Sequence, residues 1–408
     1  DWEKQWYGQG PVTGASVAEG VCVVALTDRQ QIAALNPATG KEKWRATLDG
    51  RIDSQPTIRQ GLVLAGTRTG WVYALNRDTG ELVWRFFVAP RRERIVADGQ
   101  LESPWPLFGT VYADSAGVWV FAGRHNDCDG GLWWWRLELA SGAVLSSGRT
   151  GVDELRTNTG STGALDELPE HFNGGNSPVI SDGKVLLLAR IHLERQGEGL
   201  VPYSGLVAPK GDEHVFWQKR FAAGMLVPGN QGLLNRNVGL YGYKMSALGF
   251  TQARQFAWHG MEFVNVGGTL QEQTRGGDGG SAVRLMRRYD TLKQVEFRDQ
   301  KRNEVRTRPC GSEVVWENKM DPAGGTGTKA LAVAGDAVLI GLSIENRNLW
   351  KERDRMQHRL IALSYGSGEQ RWELPLPAPV ILGGISAAGG RAFVVTADGT
   401  LTCFAGGE

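Results

Sequence analysis

The sequence predicts an all-β fold, a β-propeller of four-stranded antiparallel blades. Three observations predict it: a recurring eleven-residue hairpin signature, a spacing of forty residues that holds four strand signals, and almost no helical periodicity. The signature Ala34-Leu35-Asn36-Pro37-Ala38-Thr39-Gly40-Lys41-Glu42-Lys43-Trp44 recurs as Ala74-Leu75-Asn76-Arg77-Asp78-Thr79-Gly80-Glu81-Leu82-Val83-Trp84. A third copy runs from Ala362 to Trp372. A weaker one, Leu137 to Gly142, has Ser146 where the tryptophan belongs, and Ser312 to Trp316 keeps only the later half.

Each signature reads as a hairpin. An apolar strand enters a turn whose Asn bonds its own backbone, a glycine takes positive φ, and a second strand leaves with Trp as its packing anchor. Two further strand signals precede it, as in Gln55–Arg59 and Gly61–Gly66 before Gly70–Leu75. The termini complement each other: Gly399 to Phe404 aligns with the third strand of a blade, and Glu3-Lys4-Gln5-Trp6-Tyr7 aligns with the fourth strand Glu81-Leu82-Val83-Trp84-Arg85. The N-terminal strand 2–7 is therefore expected to complete the last blade and remove its free edge. Inner strands starting near Val12, Ser54, Pro106, Ser177, Gln252, Thr328 and Pro379 give seven blades, and the degenerate stretch 151–318 leaves room for an eighth.

The chain of 408 residues is expected to form one propeller domain, 1–408, and its 41 % hydrophobic content excludes general disorder. Its 45 Lys+Arg balance 44 Asp+Glu, which gives no electrostatic case for nucleic acid or an anionic membrane surface. No apolar run is long enough to span a bilayer. Cys22, Cys128, Cys310 and Cys403 are far apart, so neither a zinc ribbon nor a dense disulfide framework is encoded, and no metal site is expected. The chain begins in mid-pattern, which favours a mature, periplasmic or secreted protein whose signal peptide has been removed.

The Ala-x-(Asn/Asp)-x-x-Thr-Gly-x-x-x-Trp pattern at 34–44 and 74–84 resembles the repeat of the pyrroloquinoline-quinone-like β-propellers. That family includes quinoprotein alcohol dehydrogenases and the outer-membrane-protein assembly lipoprotein. The similarity is clear over 1–145 and 328–408, and the segments 51–57 and 99–106 look like those of secreted bacterial members. Quinoprotein dehydrogenases hold their cofactor between a Trp and a disulfide of adjacent cysteines. This chain has no adjacent Cys pair, so no quinone cofactor is expected.

In a propeller, the loops joining second to third strands and one blade to the next share a face, and long ordered loops tend to carry function. The long segments 88–105, 150–176, 190–212, 226–251, 267–282 and 343–357 all belong to that face, whereas the other face has one long loop, 290–311. The elaborated face gathers Arg94, Glu102 and Trp105, then His125, His171 and Asn173, then His192, His214 and Arg236. Arg94, Glu102, Trp105, Asn173, His214 and Arg236 are the candidate ligand-binding residues. His125, His171, His192 and Glu102 are the candidate acid or base groups, on the fold-level analogy of propeller polysaccharide lyases. Against these stand plainer roles: loop histidines that are solvated or hydrogen-bonded, a mixed-charge run Arg91-Arg92-Glu93-Arg94 on a solvated face, and Glu102 and Trp105 lining the channel mouth. Trp133-Trp134-Trp135 alternates across a strand, so one ring packs inward and another is free to stack on a sugar.

No HExxH, GxSxG or complete Walker loop is present. The favoured expectation is a non-catalytic platform that binds a protein or a polysaccharide through its long-loop face. The alternative is a carbohydrate-active enzyme of the polysaccharide lyase type. Oligomeric state is not encoded in any recognisable signal.

Overall fold

The computed structural model describes residues 10–97, 99–124, 129–150, 179–181, 184–196, 199–207, 218–221, 226–229, 232–235, 239–240, 250–259, 262–269, 282–299, 303–320, 326–345 and 356–406. Among them, regular structure other than strand is confined to one 3-10 turn, Thr27–Arg29. No helix is long and apolar enough to cross a membrane among these residues.

The strands form antiparallel meanders in chain order. The first four-stranded sheet is β1 (Ser16–Ala18), β2 (Val21–Leu26), β3 (Gln31–Leu35) and β4 (Glu42–Thr47); the second is β5 (Thr57–Arg59), β6 (Leu62–Gly66), β7 (Trp71–Asn76) and β8 (Leu82–Phe87). A two-stranded ribbon follows, β9 (Ile95–Ala97) with β10 (Gln100–Glu102). The third sheet is β11 (Tyr112–Asp114), β12 (Gly117–Ala122), β13 (Leu132–Leu137) and β14 (Val144–Thr150), and the fourth is β15 (Val179–Ser181), β16 (Lys184–Gln196), β17 (Gly199–Val207) and β18 (Gln218–Phe221). A three-stranded sheet comes next: β19 (Leu226–Gly229), β20 (Gly232–Asn235) and β21 (Gly239–Leu240). Then come β22 (Phe250–His259), β23 (Glu262–Thr269), β24 (Ala282–Asp299) and β25 (Glu304–Lys319), followed by β26 (Thr326–Ala334), β27 (Ala337–Glu345), β28 (Met356–Ser364) and β29 (Gln370–Leu376). The last sheet is three-stranded: β30 (Val380–Ala388), β31 (Arg391–Thr396) and β32 (Leu401–Ala405).

Three loop expectations are corrected. Segment 190–212 is largely the hairpin β16–β17, in which His192 pairs with Tyr203, and segment 226–251 contains β19–β21. Segment 290–311, expected as a long loop, is the far end of the long hairpin β24–β25. The degenerate middle of the chain lacks the Gly/Trp signature by which its strands could be read. Strand 2–7 lies outside the described residues.

The chain divides into two compact units, 1–219 with 381–408, and 220–380. In the first, apolar residues of β2, β3 and β4 share a core with β6 and β7, those of β6–β8 with β12 and β13, and those of β2 and β3 with β31. The first and second sheets are thus each packed against a neighbour on both faces. This explains why β2, with Val21 to Ala25 all buried, is continuously apolar, while in β4 only Trp44 is buried. In the second unit, Val264, Val283 and Leu285 pack with Val338, Ile340 and Ile361.

The hairpin signature folds as expected at all four copies. Gly40, Gly80, Gly142 and Gly368 adopt φ of 69°, 75°, 72° and 73°, and each donates its N–H to the carbonyl four residues earlier at 2.8 Å. Asn36 Oδ1 accepts from the N–H of Ala38 and Thr39, and Asn76 Oδ1 does the same for Asp78 and Thr79. The tryptophans join one sheet to the next: Trp44 Nε1 donates to Arg77 O at 2.6 Å, Trp84 Nε1 to Leu139 O at 2.9 Å and Trp316 Nε1 to Tyr365 O at 2.7 Å.

Candidate functional site

The expected long-loop face of the first unit is built on a buried chain of charge. Arg51 and Asp53 are two residues apart between β4 and β5, and Arg51 Nε donates to Asp53 Oδ1 at 2.6 Å. Arg68, in the turn between β6 and β7, donates to Asp53 Oδ2 and, at 3.1 Å, to Glu102 Oε2. Arg124, just after β12, donates to Glu102 Oε1. At the other end Arg51 reaches Asp28 at 3.3 Å. The signs alternate from Asp28 to Arg124, and the side chains of Asp53 and Glu102 are fully buried. Burial works against the charge of the Arg68 guanidinium, but Asp53 and then Glu102 outweigh it and hold its pKa above the ordinary arginine value.

Main-chain bonds run parallel to this network: Arg68 N–H donates to Arg51 O and Ser103 N–H to Arg68 O, both at 2.9 Å. Three loops are therefore tied together by both backbone and side chains. Phe108 lies beneath, with the guanidinium groups of Arg68 and Arg124 at 4.9 and 5.8 Å from its ring centre.

On this base stands the ribbon β9–β10. Its register opposes Val96 to Leu101 and Ile95 to Glu102. Glu102 is buried in the ion network, whereas Val96 and Leu101 are 75 % and 61 % exposed. A cross-strand apolar pair is thus held out to solvent by a strand whose next residue is locked inside. Behind it lies an open cleft of about 340 Å³, lined by Asp28, Asp49, Arg51, Arg94, Gln100 and Leu101. Arg94 is exposed; Arg91 lies 5.5 Å from the ring centre of Trp105, and Arg92 lies over Trp71 and Phe87 at 5.7 and 5.5 Å.

The expected site residues separate on this geometry. Glu102 lies inside, with one oxygen engaged by Arg68 and the other by Arg124 and no surface exposed. Trp105 is likewise buried, its Nε1 donating to Asp129 O at 2.8 Å. Arg94 alone among the nominated residues with described side chains faces solvent at the cleft. His192 is placed only by its backbone in β16. His125, His171, Asn173, His214 and Arg236 lie outside the described residues. Of the three tryptophans of β13, Trp134 is buried against Trp119, and Trp133 and Trp135 stack on each other on the opposite side, 6.2 Å between ring centres.

Sequence reasoning missed Arg51, Asp53, Arg68 and Arg124 as a network. The available signal was a charged residue in each of several short connections between strand signals.

Comparison with known proteins places this site within a family. The profile of the family described as outer membrane protein assembly factor BamB matches residues 1–144 and 304–407. Two curated proteins of that name are similar: that of Vibrio cholerae is 30 % identical over 112 residues, which is 26 % of this chain and 29 % of the relative. That of Yersinia pestis is 30 % identical over 73 residues, 18 % of this chain and 19 % of the relative. The matched stretch thus spans less than a third of either relative. Among solved structures, BamB from Moraxella catarrhalis aligns over 96 % of this chain and 82 % of its own, at 12 % identity and a TM-score of 0.39. A quinohemoprotein alcohol dehydrogenase from Pseudomonas putida HK5 aligns over 96 % of this chain and 63 % of its own, at 13 % identity and a TM-score of 0.40.

Proposed function

Because the chain belongs to the family of the outer membrane protein assembly factor BamB, we propose that it is a non-catalytic protein-binding platform that serves outer-membrane protein assembly in the periplasm. The sheets are arranged in this reading as a closed propeller of seven or eight blades, whose rigidity holds the docking surface. No quinone or metal takes part.

The observation that carries the proposal is the ribbon. A two-stranded ribbon has little stability of its own, and leaving Val96 and Leu101 in water forgoes their burial. Here the base is fixed by the ion pairs of Glu102 while the apolar pair stays outside, which is the arrangement a preformed docking surface needs. Binding energy at such a surface concentrates in a few apolar and arginine side chains. Val96, Leu101 and Arg94 are those side chains here. Of the enzyme alternative's candidates, the one with a described side chain, Glu102, has both oxygens engaged by Arg68 and Arg124.

The test is purification of the tagged chain from envelope membranes, alongside the double variant Val96→Glu/Leu101→Glu. Wild type should retain a protein of the outer-membrane assembly machinery, and the variant, with an unchanged melting temperature, should lose it. Equal retention by both, or retention of polysaccharide instead, contradicts the proposal.

A further inference from the structure

The run Arg91-Arg92-Glu93-Arg94, which the sequence alone reads as a solvated mixed-charge face, is ordered by aromatic rings. Trp71 opposes Phe87 in the terminal pair of β7–β8, with 4.9 Å between ring centres. The guanidinium of Arg92 lies over both rings at 5.7 and 5.5 Å, and that of Arg85 lies over Trp71 at 4.6 Å. Arg91 lies 5.5 Å from the ring centre of Trp105, which is itself fixed by its bond to Asp129 O. A ring covers the face of a guanidinium and leaves its edge, where the N–H donors lie, to an anion.

Charge is concentrated here. Residues 85–94 hold four arginines and one glutamate in a chain whose formal net charge is +1. Arg91, Arg92 and Arg94 are all exposed, and Glu93 offsets one of them, lying 3.2 Å from Arg91. Arg94 immediately precedes β9, so the positive run leads into the strand that carries Val96, and Leu101 opposes Val96 across the ribbon. The carboxylates of the adjacent cleft are engaged internally: Asp28 lies 3.3 Å from Arg51, and Asp49 accepts from Thr69 at 2.7 Å and from Thr67 at 3.2 Å. The arginine run is therefore the larger concentration of one sign beside the ribbon. Apolar side chains bordered by guanidinium groups complement a segment whose apolar residues are bordered by carboxylates.

We propose that the partner segment docked on the ribbon is acidic: its apolar side chains cover Val96 and Leu101, and Asp or Glu carboxylates beside them accept from Arg92 and Arg94. This rests on the ribbon-docking function proposed above and adds the chemistry by which the partner is chosen. Guanidinium–carboxylate pairing fixes the direction and register of the incoming chain, and a basic segment is repelled. Arg92, held against Trp71 and Phe87, loses less side-chain freedom on binding than an arginine surrounded by solvent.

The test uses the whole 408-residue chain, with a benzophenone amino acid at Leu101, added to isolated envelope membranes. Arg92→Glu/Arg94→Glu, with an unchanged melting temperature, should lower the yield of the Leu101 adduct by about tenfold or more. Arg92→Lys/Arg94→Lys should keep part of it, and Lys41→Glu/Lys319→Glu, the same change in net charge at exposed positions elsewhere, should leave it unchanged. Salt at about 1 M, where the Debye length is about 3 Å, should lower the wild-type yield several-fold. Peptide mass spectrometry should find Asp or Glu beside the crosslinked residue of the partner, and replacing those acids by lysine should restore the adduct to Arg92→Glu/Arg94→Glu. A yield that neither salt nor charge reversal changes, or a crosslinked peptide without neighbouring acids, overturns the acidic-partner assignment and leaves ribbon docking in place. No protein adduct from Leu101 in the otherwise wild-type chain removes both.

Discussion

The indole of Trp84 donates to the main-chain carbonyl of Leu139 at 2.9 Å, and its ring fills the space that a Cβ on Gly142 would need. One residue thereby joins two sheets through a directional bond and through packing. Trp84→Ala should destabilise by about 3–5 kcal/mol, as large aromatic deletions do. Trp84→Phe keeps part of the packing and loses the bond, so it should cost less than Trp84→Ala, with about 1 kcal/mol of its cost coming from the hydrogen bond. Urea denaturation of both variants checks the split.

Glu102 and Arg68 make a second prediction. Removing one member of a buried charge network strands the others, so Glu102→Ala should cost about 3–5 kcal/mol. The double variant Arg68→Met/Glu102→Leu should cost less than the sum of its single changes by about 1 kcal/mol or more, because neither then leaves the other unpaired. A double-mutant cycle at neutral pH reads the coupling directly.

Most of the fold was legible and most of the site was not. The Gly/Trp signature fixes backbone geometry at Gly40, Gly80, Gly142 and Gly368, and backbone geometry is what a local pattern encodes. The strands β16–β21 carry no such signature, which is why 190–212 and 226–251 read as loops. Glu102 read as a candidate acid because a charged residue in a long loop is ordinarily exposed. Its burial depends on Arg68 and Arg124, which are distant in sequence and are brought to it only by the packing of separate sheets.

Glu19 supplies a pH dependence. Its carboxylate accepts the N–H groups of Gln60 and Gly61, each at 2.8 Å, and lies 3.1 Å from Arg77. The Gly61 bond leads, burial opposes it, and Gln60 and Arg77 add to it, so the pKa lies below the ordinary 4.5. A depressed carboxylate stabilises the fold above the unfolded-state value, and that stabilisation disappears as pH falls through the folded-state value. Glu19→Gln should therefore lower stability at pH 7 by at most about 1 kcal/mol for this partly exposed group, and the difference from wild type should shrink below pH 4.5. Melting temperatures across pH 3 to 7 on a roughly half-unit grid test this.

Cys22 and Cys403 should differ in reactivity. Burial, with a smaller contribution from Cys403, pushes the Cys22 thiol up to about 11, while Cys403 is exposed on β32. The thiolate is the reactive form. Brief iodoacetamide treatment at pH 8 should label Cys403 and spare Cys22 until denaturant is added, as read by peptide mass spectrometry.

The most direct measurement is photo-crosslinking in living cells, with a benzophenone amino acid placed at Val96, at Leu101 and, as a control, at Val305, which is 67 % exposed in the other unit. Docking on the ribbon predicts discrete adducts from Val96 and Leu101 to a protein of the outer-membrane assembly machinery, and none to it from Val305. Adducts from Val305 with none from the ribbon, or no protein adduct from either ribbon position, would contradict it.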